Sequence, residues 1–304
     1  MTQVDCCIRF LKEPSLMSLS RNAVSFKTAL IHPRGEFLYH QAREKEARLV
    51  DDLDIAREVQ QQLLPKGTRA FPGLDLAAAC VPARELGRDF YDFFPDGSGR
   101  LALTLGDVSG KGTAAVLLGA LTIGVLREHT DDHGEMPAEV LATLNVRINA
   151  ARLNARFVAM LFAVLDSKAQ QLIIANAGNP YPLLVRNGRI EEIRLSGIPL
   201  GLMAGTRYER VSLDVAPGDT VVFVSDGILE CQSSKKESFG IGRLAALLTS
   251  LPSDASAQEI SSAILCATDV FSGHSSATRD DRSLIVLRVT EESAEPLTRV
   301  PVIY

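Results

Sequence analysis

Short apolar runs recur from residue 74 onward and predict strands. They cover residues 74–81 (LDLAAACV), 101–107 (LALTLGD), 157–166 (FVAMLFAVLD), 171–177 (QLIIANA), 220–226 (TVVFVSD) and 283–289 (SLIVLRV). Longer stretches with apolar residues at three- and four-residue spacing predict helices over 114–129, 137–153, 241–251 and 257–271, with Asp254 and Ser256 as candidate caps for the last. Strands come in groups and helices in pairs. That order predicts an α+β fold of largely antiparallel sheets covered by helices, not a strictly alternating doubly wound sheet.

Ahead of this block, residues 41–64 (QAREKEARLVDDLDIAREVQQQLL) hold no Gly or Pro and favour helix. Leu49, Leu53, Ala56 and Leu63 fall near a 3–4 spacing that Gln60 interrupts, Ile55 and Val59 widen the stripe, and Pro65 and Gly67 end it. Two readings stand level: a helix lying on its own domain, or a linker that pairs with a second copy to make a homodimer. Residues 1–40 show no periodicity and form a short N-terminal segment, either a small cap or a loose arm. The expected organisation is this segment, a linker helix over 41–66, a catalytic block over 67–290 and a polar tail over 291–304.

Composition narrows the function. The 304 residues can bury a sizeable core, and 46% hydrophobic with 23% charged residues is ordinary for a globular chain. A net charge of −5 without any Lys/Arg run argues against nucleic acid. No apolar run reaches the roughly 18 residues of a membrane helix, and residues 1–10 lack an apolar signal core, so neither a membrane span nor export is expected. The cysteines (Cys6, Cys7, Cys80, Cys231 and Cys266) are odd in number and form no CxxC pair, which fits a reduced cytoplasm. Only His129 and His133 have ligand-like spacing, and they sit where a helix is expected to end, a place histidine favours without any metal.

The informative residues are aspartates. Asp107 closes an apolar run before a glycine turn (LGDVSGKG), and Asp226 does the same (FVSDGILE). Asp280 and Asp281 precede the last apolar run, and Asp89 and Asp92 bracket an aromatic pair in GRDFYDFF. Singly, each is ordinary turn chemistry. Together, carboxylates converging at one sheet edge would repel unless cations neutralised them, and Mg²⁺ or Mn²⁺ suit all-oxygen ligands. GDVSGKG is not a P-loop: Gly106 and Gly110 are one residue too close, and Gly112 stands where Ser or Thr is needed.

GRDFYD, GDVSGKG, NAGNPYPLLV, GIPLGL, VSDGILE and DDRSLIVLR occur in an order that resembles the SpoIIE/RsbU-type phosphatases, the bacterial branch of the PPM metal-dependent serine/threonine phosphatases. DIAREVQQQLLP resembles the segment leading into that domain, so the likeness runs over about 49–289. It implies a four-layer αββα sandwich with two Mn²⁺ or Mg²⁺ ions at one end. Asp107 would bridge both ions, Asp89 and Asp226 would hold one or the other, Asp280 would complete the set, and the Val108 carbonyl would be a further ligand. Asp281 and Gly110 would be positioning residues. A metal-activated water would attack a phosphoserine or phosphothreonine in line, with Asp107 and Asp226 acting through it and no covalent intermediate. The implied substrate is a phosphorylated regulatory protein, a STAS-type anti-sigma-factor antagonist or a similar partner-switching protein.

Three positions depart from the family pattern. Arg88 replaces a glycine before Asp89; it is either turned outward, the favoured reading, or set to contact the phosphate. Asn179 replaces a histidine in what reads as a structural loop, and Ser283 keeps the hydroxyl of a threonine. Two other functions share the same residues: a catalytically silent partner-binding module, and a phosphohydrolase of small molecules.

Overall fold

The structure is a computed structural model that describes residues 33–65, 69–95, 99–110, 112–130, 136–151, 156–273 and 280–291. His133, Lys111, residues 1–32 of the N-terminal segment and residues 292–304 of the tail lie outside the described residues. The chain divides into two compact units, residues 1–55 and 56–304. Helix α1 (Pro33–Leu63) runs through the boundary and begins eight residues before the composition change at residue 41. Proline is well suited to a helix's first turn, where its missing N–H is not needed. In the first unit α1 exposes Phe37, Leu49, Val50 and Ile55.

The second unit is built on two antiparallel sheets. The six-stranded sheet has the order β1-β2-β11-β10-β7-β8, from β1 (Arg69–Phe71), β2 (Leu74–Val81), β7 (Leu183–Arg186), β8 (Arg189–Glu192), β10 (Thr220–Val224) and β11 (Arg282–Val289). The five-stranded sheet has the order β3-β4-β5-β6-β9, from β3 (Asp89–Pro95), β4 (Arg100–Val108), β5 (Val158–Asp166), β6 (Gln171–Ala177) and β9 (Arg210–Asp214). Helices α2 (Thr113–Thr130) and α3 (Pro137–Ala150) connect β4 to β5. The single-turn α4 (Asp226–Leu229), then α5 (Gly240–Ser250) and α6 (Ala257–Ser272), connect β10 to β11. Ser256 caps α6, accepting from the Glu259 N–H at 3.2 Å while the Glu259 carboxylate returns to the Ser256 N–H at 2.8 Å.

Burial sorts these elements into four layers. Leu103, Leu105, Leu161 and Leu165 of one sheet pack against Leu76, Val221, Phe223 and Leu287 of the other, forming the central core. The alternate residues of the same strands face outward onto helices. Met160 and Phe162 join Leu118, Leu126, Leu141 and Leu144 of α2 and α3. Val222, Val224, Leu284 and Val286 join Leu244, Leu248, Ile260 and Ile264 of α5 and α6. Both faces of each central strand are therefore covered, which is why these strands read as unbroken apolar runs and not as alternating ones. The αββα sandwich is present. No helix among the described residues is long and apolar enough to cross a membrane.

Candidate active site

Strand register brings the aspartates together. Asp89 opens β3 and stands directly opposite Asp107 near the end of β4. In the facing sheet β10 ends and β11 begins at one edge, with Val224 paired to Leu284, so Asp226 just past β10 and Asp280 and Asp281 just before β11 share that edge. Asp92, three residues along β3, is carried to the other side; its carboxylate takes the Arg127 guanidinium of α2 at 2.7 Å and has no part in the cluster.

The turn from β2 to β3 is held from two sides. Asp281 is 3% exposed. One oxygen accepts from the Ala83 N–H at 2.7 Å and the other from the Arg88 N–H. Gln60 of α1 closes both polar groups of Gly87: its amide nitrogen donates to the Gly87 carbonyl at 2.6 Å and its amide oxygen accepts from the Gly87 N–H at 3.1 Å. Sequence reasoning counted Gln60 only as a break in an apolar stripe, and that break was the signal. Behind the cluster, Ser225 and Ser283 tie β10 to β11: the Ser225 N–H donates to the Ser283 carbonyl at 2.8 Å, and the Ser283 N–H donates to the Ser225 hydroxyl at 2.9 Å. Gly110 has φ +107°, a conformation that glycine alone adopts freely, where the chain leaves β4.

Several buried carboxylate oxygens accept no hydrogen bond. Asp89 is 2% exposed, and neither of its oxygens accepts a hydrogen bond; the same holds for Oδ1 of Asp107 and Oδ1 of Asp226. Burial, with Asp107 and Asp281 adding repulsion, pushes Asp89 well above the usual carboxylate range, and the nearby hydroxyls of Ser283 and Ser225 offset this only in part. Asp107 is raised by burial, against the opposing pull of Arg88. Burial, with Asp107 and Asp280, pushes Asp226 up to about 6. Unsatisfied buried carboxylate oxygens are costly, and a divalent cation with oxygen preference answers that cost. Asp89, Asp107 and Asp226 therefore suit such an ion.

Arg88 corrects the outward reading. Its guanidinium turns into the cluster, bonding the Asp280 carboxylate, donating from Nη1 to the Val108 carbonyl at 3.2 Å and standing 3.6 Å from Oδ1 of Asp107. As they lie, no three carboxylate, imidazole or thiolate groups among the described residues close into a ligand cage. Arg88 stands on two of the groups that such a cage would use.

An open cleft of about 560 Å³ adjoins Asp107 and Asp226, walled by Asn179, Tyr181, Ser196 and Glu230. Asn179 belongs to its supporting loop: its N–H donates to Asn176 Oδ1 at 2.8 Å, and the Asn176 amide returns to the Asn179 carbonyl at 2.8 Å. Burial and Asp89 push the Cys80 thiol up to about 12, so it is no nucleophile at neutral pH.

A pH test follows from Asp226. Its acid is held at about 6 in the fold against an ordinary 3.8. The folded state binds that proton more tightly, so the associated stability is present below about 4 and lost as pH rises through about 6. In chelator, wild type should lose thermal stability relative to Asp226→Asn between pH 4 and pH 7. Parallel melting curves for the two proteins over that range would contradict the shift.

The family model for Stage II sporulation protein E (SpoIIE) matches residues 97–290. The protein IcfG of Synechocystis is 28% identical over 227 residues, covering 65% of this chain and 36% of that protein. Phosphoserine phosphatase RsbU of Bacillus subtilis is 27% identical over 197 residues, covering 64% of this chain and 58% of RsbU. This chain thus spans between about a third and three fifths of the curated relatives it matches. Among solved structures, the RsbU and RsbW domains of Rv1364c from Mycobacterium tuberculosis align with a TM-score of 0.62 at 25% identity, covering 73% of this chain and 61% of that one. The chain belongs to the SpoIIE family, that of the SpoIIE/RsbU-type PPM serine phosphatases.

Proposed function

We propose that this protein is a metal-dependent protein serine/threonine phosphatase acting on a phosphorylated regulatory protein. The observation that carries the reading is the set of four buried carboxylate oxygens of Asp89, Asp107 and Asp226 at one sheet edge that accept no hydrogen bond. Asp89, Asp107, Asp226 and Asp280, with the Val108 carbonyl, would hold two Mn²⁺ or Mg²⁺ ions. When bound, such ions neutralise charge on a transferred phosphoryl group and lower the pKa of a water molecule. The residues do the rest. Asp281 and Gln60 fix the turn that presents Asp89, Ser225 and Ser283 hold the strand ends that present Asp226 and Asp280, and the cleft beside Asp107 and Asp226 admits a phosphorylated side chain from solvent. A proton on Asp226, held at about 6, competes with an ion, so ion binding should strengthen as pH rises through about 6.

A STAS-type anti-sigma-factor antagonist or similar partner-switching protein is the substrate we infer. The resemblance of the motifs supports it, as does similarity to a chain that carries RsbU and RsbW domains together. The apolar residues that α1 exposes at Leu49, Val50 and Ile55 support pairing with a second copy.

The test is hydrolysis of an aryl phosphate and of a phosphoserine protein of the STAS type, in Mn²⁺, in Mg²⁺ and in chelator. Turnover that needs the ion, and that is faster on the phosphoprotein, is expected. A faster rate on small esters would make the protein a small-molecule phosphohydrolase. Folded protein that turns over neither substrate in either ion would leave a silent binding module.

A further inference from the structure

Arg88 is the one cation inside the acidic cluster, among the described residues, and its position invites a specific reading. The side chain is only 21% exposed. Its backbone is fixed at both ends: the Arg88 N–H donates to Asp281 and the Arg88 carbonyl accepts from the Val108 N–H at 3.3 Å. From that anchor the guanidinium reaches Asp280, the Val108 carbonyl and the vicinity of Asp107. These three groups are contributed by β4 and by the turn before β11, and the arginine bridges the two sheets across the site.

We propose that Arg88 is a built-in competitor for the divalent cations: its guanidinium holds Asp280 and the Val108 carbonyl in the metal-free protein, and an ion must displace it to take them. This rests on the metal-dependent reading above. An arginine cannot vacate the site by losing a proton, because it stays charged at any pH the protein survives. It leaves only by swinging its flexible stem. Asp89, with both oxygens unpartnered, lies outside the reach of the guanidinium's bonds, so one ion position is unobstructed while the other is contested. The contested position should fill last and most weakly. Loading would then depend on ion concentration in two separable steps, and the freed guanidinium would stand at the mouth of the site.

The experiment is calorimetric titration of the metal-free full chain with Mn²⁺, for wild type, Arg88→Gly and Arg88→Gln, together with melting curves in chelator. Removing the competitor should tighten the weaker binding step by roughly 10- to 100-fold, the size of one or two charge-assisted hydrogen bonds. It should also lower the melting temperature of the metal-free protein, because the remaining carboxylates lose their counter-charge. Arg88→Gln keeps most of the stem and guards against a turn that glycine loosens. Equal affinities and equal numbers of ions in all three proteins would overturn the proposal and leave the metal site standing. Weaker binding in both variants would also overturn it. No binding of Mn²⁺ to any of them would sink the metal-dependent reading along with it.

Discussion

Asp107→Asn should abolish ion-dependent phosphate hydrolysis, by ~10³-fold or more, while leaving the metal-free protein at least as stable as wild type. Asp107 is the carboxylate that all the others meet. It faces Asp89 across the β3–β4 ladder, neighbours Asp226 and Asp280 electrostatically, and lines the cleft. Its burial and the surrounding acids outweigh the attraction of Arg88, so the ionised form is less favoured in the bare fold than in water. The neutral amide has nearly the same shape, removes that repulsion and cannot neutralise an ion. Function and stability should thus move in opposite directions, as they do where a site stores unfavourable charge for a ligand. The measurement pairs initial rates in saturating Mn²⁺ with melting temperature in chelator. Retained turnover would remove Asp107 from the centre of the site, and a large loss of stability would mark it as a structural residue instead.

The parts of this fold that were legible in the chain are those covered on both sides. β4, β5, β10 and β11 send alternate residues to the central core and to a helical layer, so apolar residues dominate both faces, and Thr104 within β4 is buried with its hydroxyl donating to the Leu161 carbonyl. β8 and β9 could not be seen this way. Their residues alternate between exposed and half-buried, and RIEE carries no apolar pattern. β3 was hidden for a different reason: DFYDFFP holds two aspartates, one for the site and one for Arg127, and acids inside a fully covered strand run against strand propensity. The ends of strands announced Asp107 and Asp226, carboxylates beside glycine turns, and Asp280, which with Asp281 precedes the last apolar run. The direction of Arg88 was not, since it depends on a turn pinned by Gln60, 27 residues before Gly87, and by Asp281, 193 residues after Arg88. Contacts that distant leave no local pattern.

Gly227→Ala should cripple both the fold and the site. The sequence DG suggests a glycine chosen for its turn, but Gly227 is absent from the glycines with positive φ, so its backbone is open to any residue. Space is the constraint. A Cβ there would lie 1.9 Å from the Asp281 carbonyl oxygen and 2.9 Å from its carbon. The obstacle is backbone and cannot rotate aside, so α4 and the start of β11 must part. That junction carries the Ser225–Ser283 bonds and sets Asp226 against Asp280 and Asp281. Overpacking of this kind costs roughly 1–3 kcal/mol, and at about 2–4 °C per kcal/mol for a unit of this size the melting temperature should fall by roughly 2–12 °C. Ion-dependent turnover should fall with it, because the two carboxylates on either side of the contact move apart. Gly124→Ala is the control: it sits within α2 with nothing within 4 Å of an added Cβ, and alanine there should hold or raise stability. If Gly227→Ala melts and turns over like Gly124→Ala, then the close approach of α4 to Asp281 is not what shapes the site, and the convergence of Asp226 with Asp280 needs another cause.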